Sequence, residues 1–202
     1  MNEQVDAPII NVRGNLVGLG PLRREYIPLY QRWMNDFETT RFLDYQPRPM
    51  TLEQETSWYE QAATKSDEIT FTIYELSTGR PIGNCGLHNL DLRNRRSELG
   101  ILIGEPEARG KGYGTEAMRL LADFGFTALG LHSLMLWTYE YNIAGQRCYA
   151  KVGFREIGRR RASRWHAGRF WDEIAMDLLA SEFESPVLRA LLDPGSSSGS
   201  PG

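Results

Sequence analysis

This chain of 202 residues is poor in most of the features that mark a specialised protein. It has two cysteines, Cys85 and Cys148, and no Cys-x-x-Cys spacing. That excludes a disulfide framework and a thiolate metal site, and a reducing compartment is the simple inference. The histidines, His88, His132 and His166, are far apart and form no His-x-x-x-His pair. No metal is expected. No apolar run approaches the ~20 residues of a membrane span. The opening Met1–Asp6 is acidic and lacks the apolar stretch of a signal peptide. No membrane association and a cytoplasmic location are the expectations. Excess positive charge is also missing: the net charge of −3 argues against general affinity for nucleic acid. Arg93/Arg95/Arg96 and Arg159-Arg160-Arg161 are local exceptions. They read either as a solvated turn and strand end or as a dock for an acidic group. There is no internal repeat.

Two familiar phosphate loops are absent as well. No Gly-x-x-x-x-Gly-Lys-Ser/Thr string occurs. No Gly-x-Gly-x-x-Gly follows a first strand with an acidic residue placed for a ribose. What the chain does carry is Arg109-Gly110-Lys111-Gly112-Tyr113-Gly114, between the apolar run Leu99–Ile103 and a helical pattern opening near Thr115. Alternate glycines keep side chains out of the way. A helix start offers N–H groups without intrahelical partners and partial positive charge. Strand, glycine loop and helix start together suit a phosphate or pyrophosphate, with Arg109 and Lys111 adding charge. Taken alone, three glycines equally describe a plain strand-to-helix connection.

Length and a hydrophobic content of 41% fit one sizeable core. Residues 1–10 read as a loose arm and Leu16–Leu22 as a first strand. Arg24–Met34 reads as a helix with Tyr26, Leu29, Tyr30 and Trp33 on one face. Phe37–Pro49 reads as irregular. Thr51 and Gln54 form a capping box for a helix to about Thr64. Thr70–Leu76, Pro81–Leu87 and Ser97–Ile103 read as an antiparallel meander. Ala117, Leu120, Leu121, Phe124 and Ala128 make a helical stripe closed by Gly130. Leu134–Tyr139 reads as a strand, and Ala144–Val152 as a short helix ended by Gly153. Phe154–Arg160 and Phe170–Leu178 complete the pattern as a strand pair. The order predicts an α+β fold on one sheet, in which the strands flanking the glycine loop are parallel neighbours. A single domain over 1–183 is expected. Residues 184–202, ending in a Ser/Gly/Pro stretch, are expected to be a flexible tail.

Three segments in order resemble the GNAT superfamily of acyl-CoA-dependent N-acetyltransferases. They are Arg109-x-x-Gly112-x-Gly114 followed by Thr115-Glu116-Ala117, the strand Leu134–Tyr139, and Asn142-x-x-Gly145-x-x-x-Tyr149-x-x-x-Gly153-Phe154. Arg41-Phe42-Leu43 before a Thr-capped helix with Trp58 is similar to the RimJ/RimL and SpeG-type subgroup. The likeness covers about residues 14 to 180. Gly145 departs from the Ala or Ser more usual there, which loosens the short helix by up to ~1 kcal/mol. The resemblance implies a three-layer fold whose mixed, mostly antiparallel sheet splays between the fourth and fifth strands, with helices on both faces. It implies acetyl-CoA as co-substrate, with Arg109, Gly110, Lys111, Gly112, Tyr113, Gly114 and Thr115 at the pyrophosphate. Ile101, Leu102 and Ile103 would face the pantetheine arm, with backbone N–H groups at the splay for the oxyanion.

Asn142 reads as the N-cap of the short helix or, by resemblance, as a ligand of the pantetheine arm. Tyr149 reads as a packed aromatic or, by resemblance, as the acid for the leaving thiolate and a neighbour of CoA; a phenol with pKa ~10 suits that donation. Cys148 reads as packing rather than a nucleophile. Glu98 is the leading base for the acceptor amine, or else a salt-bridge partner of Arg95 or Arg96. Asp172 and Glu173 are runners-up. The acceptor wall is expected on the amino-terminal helices, with Trp33, Tyr45, Trp58 and Glu98 as substrate-binding residues and Asp36, Glu38, Asp44 and Glu55 as acidic neighbours. Aromatic and acidic lining suits a cationic amine. A protein N-terminus, a polyamine and an amino-group antibiotic fit equally, and Trp33 and Trp58 also read as core. The implied activity is direct acetyl transfer in a ternary complex. An inert acyl-CoA-binding sensor or interaction module is the alternative. Members of the family are often dimers, which leaves a homodimer open.

Overall fold

A computed structural model describes residues 7–45 and 47–197. Residues 1–6 of the expected arm and the last residues of the expected tail lie outside the described residues.

The eight strands form one sheet. They are β1 (Val12–Arg13), β2 (Val17–Pro21), β3 (Ile69–Glu75), β4 (Pro81–Asp91), β5 (Arg96–Ile103), β6 (Ser133–Tyr139), β7 (Arg155–His166) and β8 (Arg169–Leu179). Their order in the sheet is β1-β2-β3-β4-β5-β6-β8-β7. Among the described residues, only the β5–β6 pair is parallel. The helices are α1 (Ile27–Met34), α2 (Phe37–Thr40), α3 (Leu52–Ala62), α4 (Tyr113–Asp123), α5 (Ile143–Val152) and α6 (Leu188–Leu192).

Strand alternation assigns the two faces. Phe71 points to one side and meets Phe124 at the end of α4, ring centroids 5.1 Å apart. Thr72, the next residue, points to the other side and bonds the Tyr30 hydroxyl of α1 at 2.7 Å. The first face carries the main core. There Ala117, Leu120 and Leu121 of α4 pack with Leu19, Ile73, Leu87, Leu99 and Leu134. Burying an aliphatic side chain of this size is worth about 1.5–3 kcal/mol, which fixes α4 firmly on the sheet.

One local feature positions the site. β5 pairs with β6 only over Arg96, Ser97 and Glu98, opposite Ser133, Leu134 and Met135. Beyond that point β5 stays with β4 through Ile103, while Leu136–Tyr139 of β6 continue along β8. The sheet therefore forks after Glu98, leaving one edge of Leu99–Ile103 without a strand neighbour. This is the expected splay; the short β1 shifts the strand numbers by one.

Several boundaries differ from the sequence reading. The expected helix from Arg24 begins as a tight turn, Arg24–Tyr26, and becomes α1 only at Ile27, with Pro28 in the first turn where its missing N–H costs nothing. The stretch 37–49 contains α2, capped by Asp36, whose carboxylate accepts the N–H groups of Glu38 and Thr39. The α4 stripe does not continue as one helix. After Asp123 the chain widens, so that Leu129 N–H reaches the Phe124 carbonyl five residues back. β4 runs on past Leu87 to Asp91, and β7 and β8 extend to His166 and Arg169. Arginines and exposed positions fill the extra part of β7, so no apolar alternation marked it. The segment from 184 was expected to be a flexible tail, yet α6 lies within it and Leu188 is buried. The cause is Asp123, a carboxylate with no exposure, which accepts the N–H groups of Val187 and Leu188 at 3.1 and 2.9 Å. A buried charge requires such donors.

Candidate active site

The glycine loop joins β5 to α4. Gly110 and Gly112 have φ of +73° and +88°, left-handed values that glycine adopts without strain. Gly112 is the N-cap of α4, and no side chain caps that helix. The first-turn N–H groups of Tyr113, Gly114 and Thr115 thus have no partner within the helix. Gly114 faces β5 and α5 together: a Cβ there would lie 3.7 Å from Ile103, 3.9 Å from Ile101 and 4.0 Å from the Cys148 sulfur. Thr115 donates to the same sulfur at 3.4 Å. Loop, free half of β5 and α5 thus converge.

The loop's side chains take parts the sequence did not assign. Tyr113 donates its hydroxyl to Glu75 at 2.6 Å, tying the helix start to β3. Arg109 does not point its charge into the loop. Its guanidinium bonds the Ile103 carbonyl at 3.3 Å and Thr39 of α2, with Glu38 at 3.5 Å and Asp36 at 3.8 Å. Arg109 is therefore a brace between loop and α2. Lys111 is exposed on the loop. Glu116, in the first turn of α4, accepts the N–H groups of Asn15, Leu16 and Val17 at 2.7–2.9 Å and fixes the β1–β2 turn. Positive charge comes instead from residues the motif did not include. Arg13, Arg119 and Lys151 line a cavity of about 510 Å³ with Gly112 and Thr115. The uncapped helix start and these three cations fit the phosphates of CoA.

Asn142 caps α5. Its side-chain oxygen accepts the Gly145 N–H at 3.0 Å, and its amide donates to Thr138 at 3.2 Å. Gly145 now has a reason, since a Cβ there would come within 2.4 Å of the Asn142 amide nitrogen. Tyr149 lies on the next turn of α5, half-buried against the core and edge-on to Phe154. Its hydroxyl has no hydrogen-bond partner among the described residues. Burial, with the neighbouring Cys148 adding to it, pushes the phenol pKa up, so the proton stays on.

On the other face of the sheet lies a larger cavity, about 760 Å³. Gly86, His88, Gly100, Ile101 and Leu102 of β4 and β5 form its floor, and α3 with Leu43, Asp44, Tyr45, Arg48 and Met50 forms its wall. Tyr45 and Trp58 line it as expected; Trp33 does not. Trp33 is core: it is buried against Gly104, where a Cβ would come within 2.1 Å of its ring, and its indole N–H bonds Glu105 at 2.9 Å. Glu98 sits at the fork, on the cavity face of β5 but outside the lining residues. Its alternative partners are engaged elsewhere: Arg95 with the Gly130 carbonyl, and Arg96 with Asp91. Of the runners-up, Glu173 pairs with Arg160 at 2.8 Å, and Asp172 accepts the Ala162 N–H at 3.0 Å.

Sequence reasoning placed Glu55 only near the wall and left out Glu68 and His88 entirely. All three line the cavity. Glu55 is 3% exposed, its carboxylate has no partner among the described residues, and burial raises its pKa to about 7. The wall itself is latched from β7. Arg164 bonds the carbonyls of Leu43 and Tyr45 at 3.0 and 3.3 Å and pairs with Asp44 at 3.3 Å.

Comparison with known proteins agrees with this geometry. Residues 17–155 match the family model described as Acetyltransferase (GNAT) domain. The chain is 29% identical to human alpha/beta-tubulin-N-acetyltransferase 9, with 85% of this chain and 84% of that protein covered. It is 28% identical to the spermidine N(1)-acetyltransferase of Escherichia coli K12, covering 83% and 88%. The crystal structure of Vibrio cholerae spermidine N-acetyltransferase with CoA and spermine superposes with a TM-score of 0.78 at 23% identity, covering 84% of this chain and 98% of that one. The mixed, forked sheet with helices on both faces is thus a shared fold, and the chain belongs to the GNAT family of N-acetyltransferases.

Proposed function

We propose that the protein transfers an acetyl group from acetyl-CoA to the primary amine of a cationic acceptor, by direct attack in a ternary complex. One observation carries the reading: the free segment of β5 separates two different sites. Ile103 lies beside Gly114 of the loop on one face, 3.7 Å from where a Cβ would stand, Gly100 and Leu102 floor the cavity on the other, and Ile101 borders both. A donor lying along that edge and an acceptor in the cavity would meet at the fork.

On the donor side, the N–H groups of Tyr113, Gly114 and Thr115, with Arg13, Arg119 and Lys151 nearby, would hold the phosphates. The open edge of Leu99–Ile103 would pair with the amides of the pantetheine arm. CoA supplies the activated thioester. Tyr149, kept protonated by burial, would give its proton to the departing thiolate. On the acceptor side, Asp44, Glu55 and Glu68 outnumber Arg48 in the cavity, and Trp58 and Tyr45 add aromatic faces. That lining favours an ammonium over a neutral or acidic acceptor. A polyamine, a protein N-terminus and an amino-group antibiotic remain the acceptor classes this chemistry serves.

The test is a screen of those three classes with acetyl-CoA, reading free thiol. Release of CoA that depends on a cationic primary amine is the expected outcome. CoA binding with no release for any amine would sink the reading.

A further inference from the structure

We infer that His88, oriented by Glu68, takes the proton from the acceptor's ammonium group, in place of Glu98. The inference rests on the acetyl transfer proposed above and names a residue of the same site. Four observations support it. The His88 Nδ1 lies 3.2 Å from a Glu68 carboxylate oxygen. A carboxylate there fixes the tautomer with hydrogen on Nδ1 and leaves the Nε2 lone pair free. The Nε2 lies over β5, 3.0 Å from where a Cβ on Gly100 would be. Any larger residue at 100 would press on the ring; glycine lets it lie on the strand at the fork. β4 bulges directly after His88, because Asp91 pairs with Arg96 while His88 pairs with Glu98, which leaves two residues, Asn89 and Leu90, against one, Ser97. Asn89, inside the bulge, has φ of +51°, an unfavourable value for a residue with a side chain. Bulges of this kind re-aim a side chain beside a site. Finally, Ser97 donates its hydroxyl to the His88 carbonyl at 2.7 Å and holds the backbone in that position.

The charges facing the imidazole are Glu68, just before β3, and Glu98 directly across on β5, with Lys65 bonded to Glu68 at 2.9 Å. Glu55 of α3, Asp44 and Arg48 share the cavity. Burial would raise the Glu68 carboxyl, but the bond from Lys65 and the charge of His88 outweigh it and hold that group low. Glu68 therefore stays an anion beside Nδ1.

The protons balance without another reagent. The ammonium gives one proton to Nε2, and the free amine attacks the thioester carbonyl carbon. As the tetrahedral species collapses, the C–S bond breaks and the thiolate takes a proton from the Tyr149 hydroxyl. The second nitrogen proton restores that hydroxyl through solvent, and His88 releases its proton to bulk water.

The test compares His88→Gln, Glu68→Gln and Glu98→Gln across pH with the best acceptor. Loss of a general base lowers kcat by ~100-fold or more. His88→Gln should show that loss with CoA affinity unchanged, and the acidic limb of the kcat/KM profile should vanish. Glu68→Gln should lower kcat about tenfold with CoA affinity unchanged, since the ring loses the carboxylate that orients it. Glu98→Gln should leave the limb in place. If His88→Gln keeps the limb and more than a third of kcat, or if Glu98→Gln alone removes the limb, the assignment is wrong. Should His88→Gln lose CoA affinity through misfolding, Glu68→Gln decides: full kcat in that variant would overturn the assignment. Turnover by the unaltered protein establishes acetyl transfer separately, so the two readings fail independently.

Discussion

The donor half and the acceptor half of this site are built on opposite principles. The donor half is short in sequence: β5, the glycine loop and the start of α4 lie within residues 96–123, and α5 follows one strand later. Its chemistry is mostly backbone, with uncapped N–H groups and an open strand edge. The acceptor half draws on five separate segments, α1, Leu43–Tyr45 with Arg48 and Met50, α3, the β3–β4 hairpin and β5, and its chemistry is side-chain charge. A backbone site needs a particular conformation, which a few glycines announce. A side-chain site needs only that the fold bring distant residues together, and nothing local announces that.

The largest effect should come from breaking the donor half at its backbone. Gly112→Val puts a β-branched side chain at φ +88°, at the residue whose turn aims the N–H groups of α4. A residue forced there costs on the order of 1–3 kcal/mol, and relief of that strain turns the donors away from the phosphates. CoA binding, followed by calorimetry, should be abolished. Wild-type affinity in this variant would remove the loop from the donor site. Next in size is Tyr149→Phe, which keeps the ring packing and deletes the proton. A fall in kcat of ~100-fold with unchanged CoA affinity is expected, by the usual worth of a general acid. Equal CoA release by the two proteins, with every amine tried, would exclude Tyr149 from the chemistry.

The same contrast explains which expectations survived. The capping box at Thr51 and Gln54, the meander and the parallel crossover follow from local pattern plus chain order, and all are present; the fork, implied by the family resemblance, is present too. Asn142 was legible as a cap for the same reason. Trp33 reads from sequence both as substrate-binding and as core because one helical stripe holds both kinds of residue; the close approach of Gly104 shows it to be core. Arg109 was misread because its partners, Asp36, Glu38 and Thr39, lie some seventy positions earlier. His88 was invisible for a related reason. A lone histidine carries no spacing, and its meaning comes from Glu68, just before the neighbouring strand, and from a bulge that no residue pattern marks.

Glu55 sharpens the comparison at intermediate size, because the acceptor half should be the part that costs stability. Its carboxyl is raised to about 7 from 4.5 by burial. The native protein therefore holds a proton between those values that the unfolded chain has lost. Stability falls as pH rises through that window, and the cost is complete above about 7. Glu55→Gln removes the cost. It should be more stable than wild type by on the order of 3 kcal/mol at pH 8 and no more stable at pH 4.5, by urea unfolding. The same variant should raise KM for a cationic acceptor about tenfold, the worth of one charge-assisted contact. An equal stability difference at both pH values would show that burial of this carboxyl carries no titration.

The smallest effect tests whether the donor half owes anything to side chains. Gly145 lies inside α5, where propensity alone says that alanine should stabilise by ~1 kcal/mol. The geometry says the opposite. A Cβ at 145 would meet the Asn142 amide nitrogen at 2.4 Å, so the cap must leave the Gly145 N–H and its bond to Thr138. Loss of an N-cap costs ~1 kcal/mol, which cancels the propensity gain or exceeds it. Gly145→Ala should therefore be neutral to slightly destabilising, and Asn142→Ala clearly destabilising. In the double variant the alanine at 145 should regain its full propensity benefit, because no cap is left to displace. A double-mutant cycle by thermal unfolding reads that coupling directly. A stabilising Gly145→Ala with no coupling to Asn142 would mean that the cap yields freely, and that the amide of Asn142 can turn toward a donor after all.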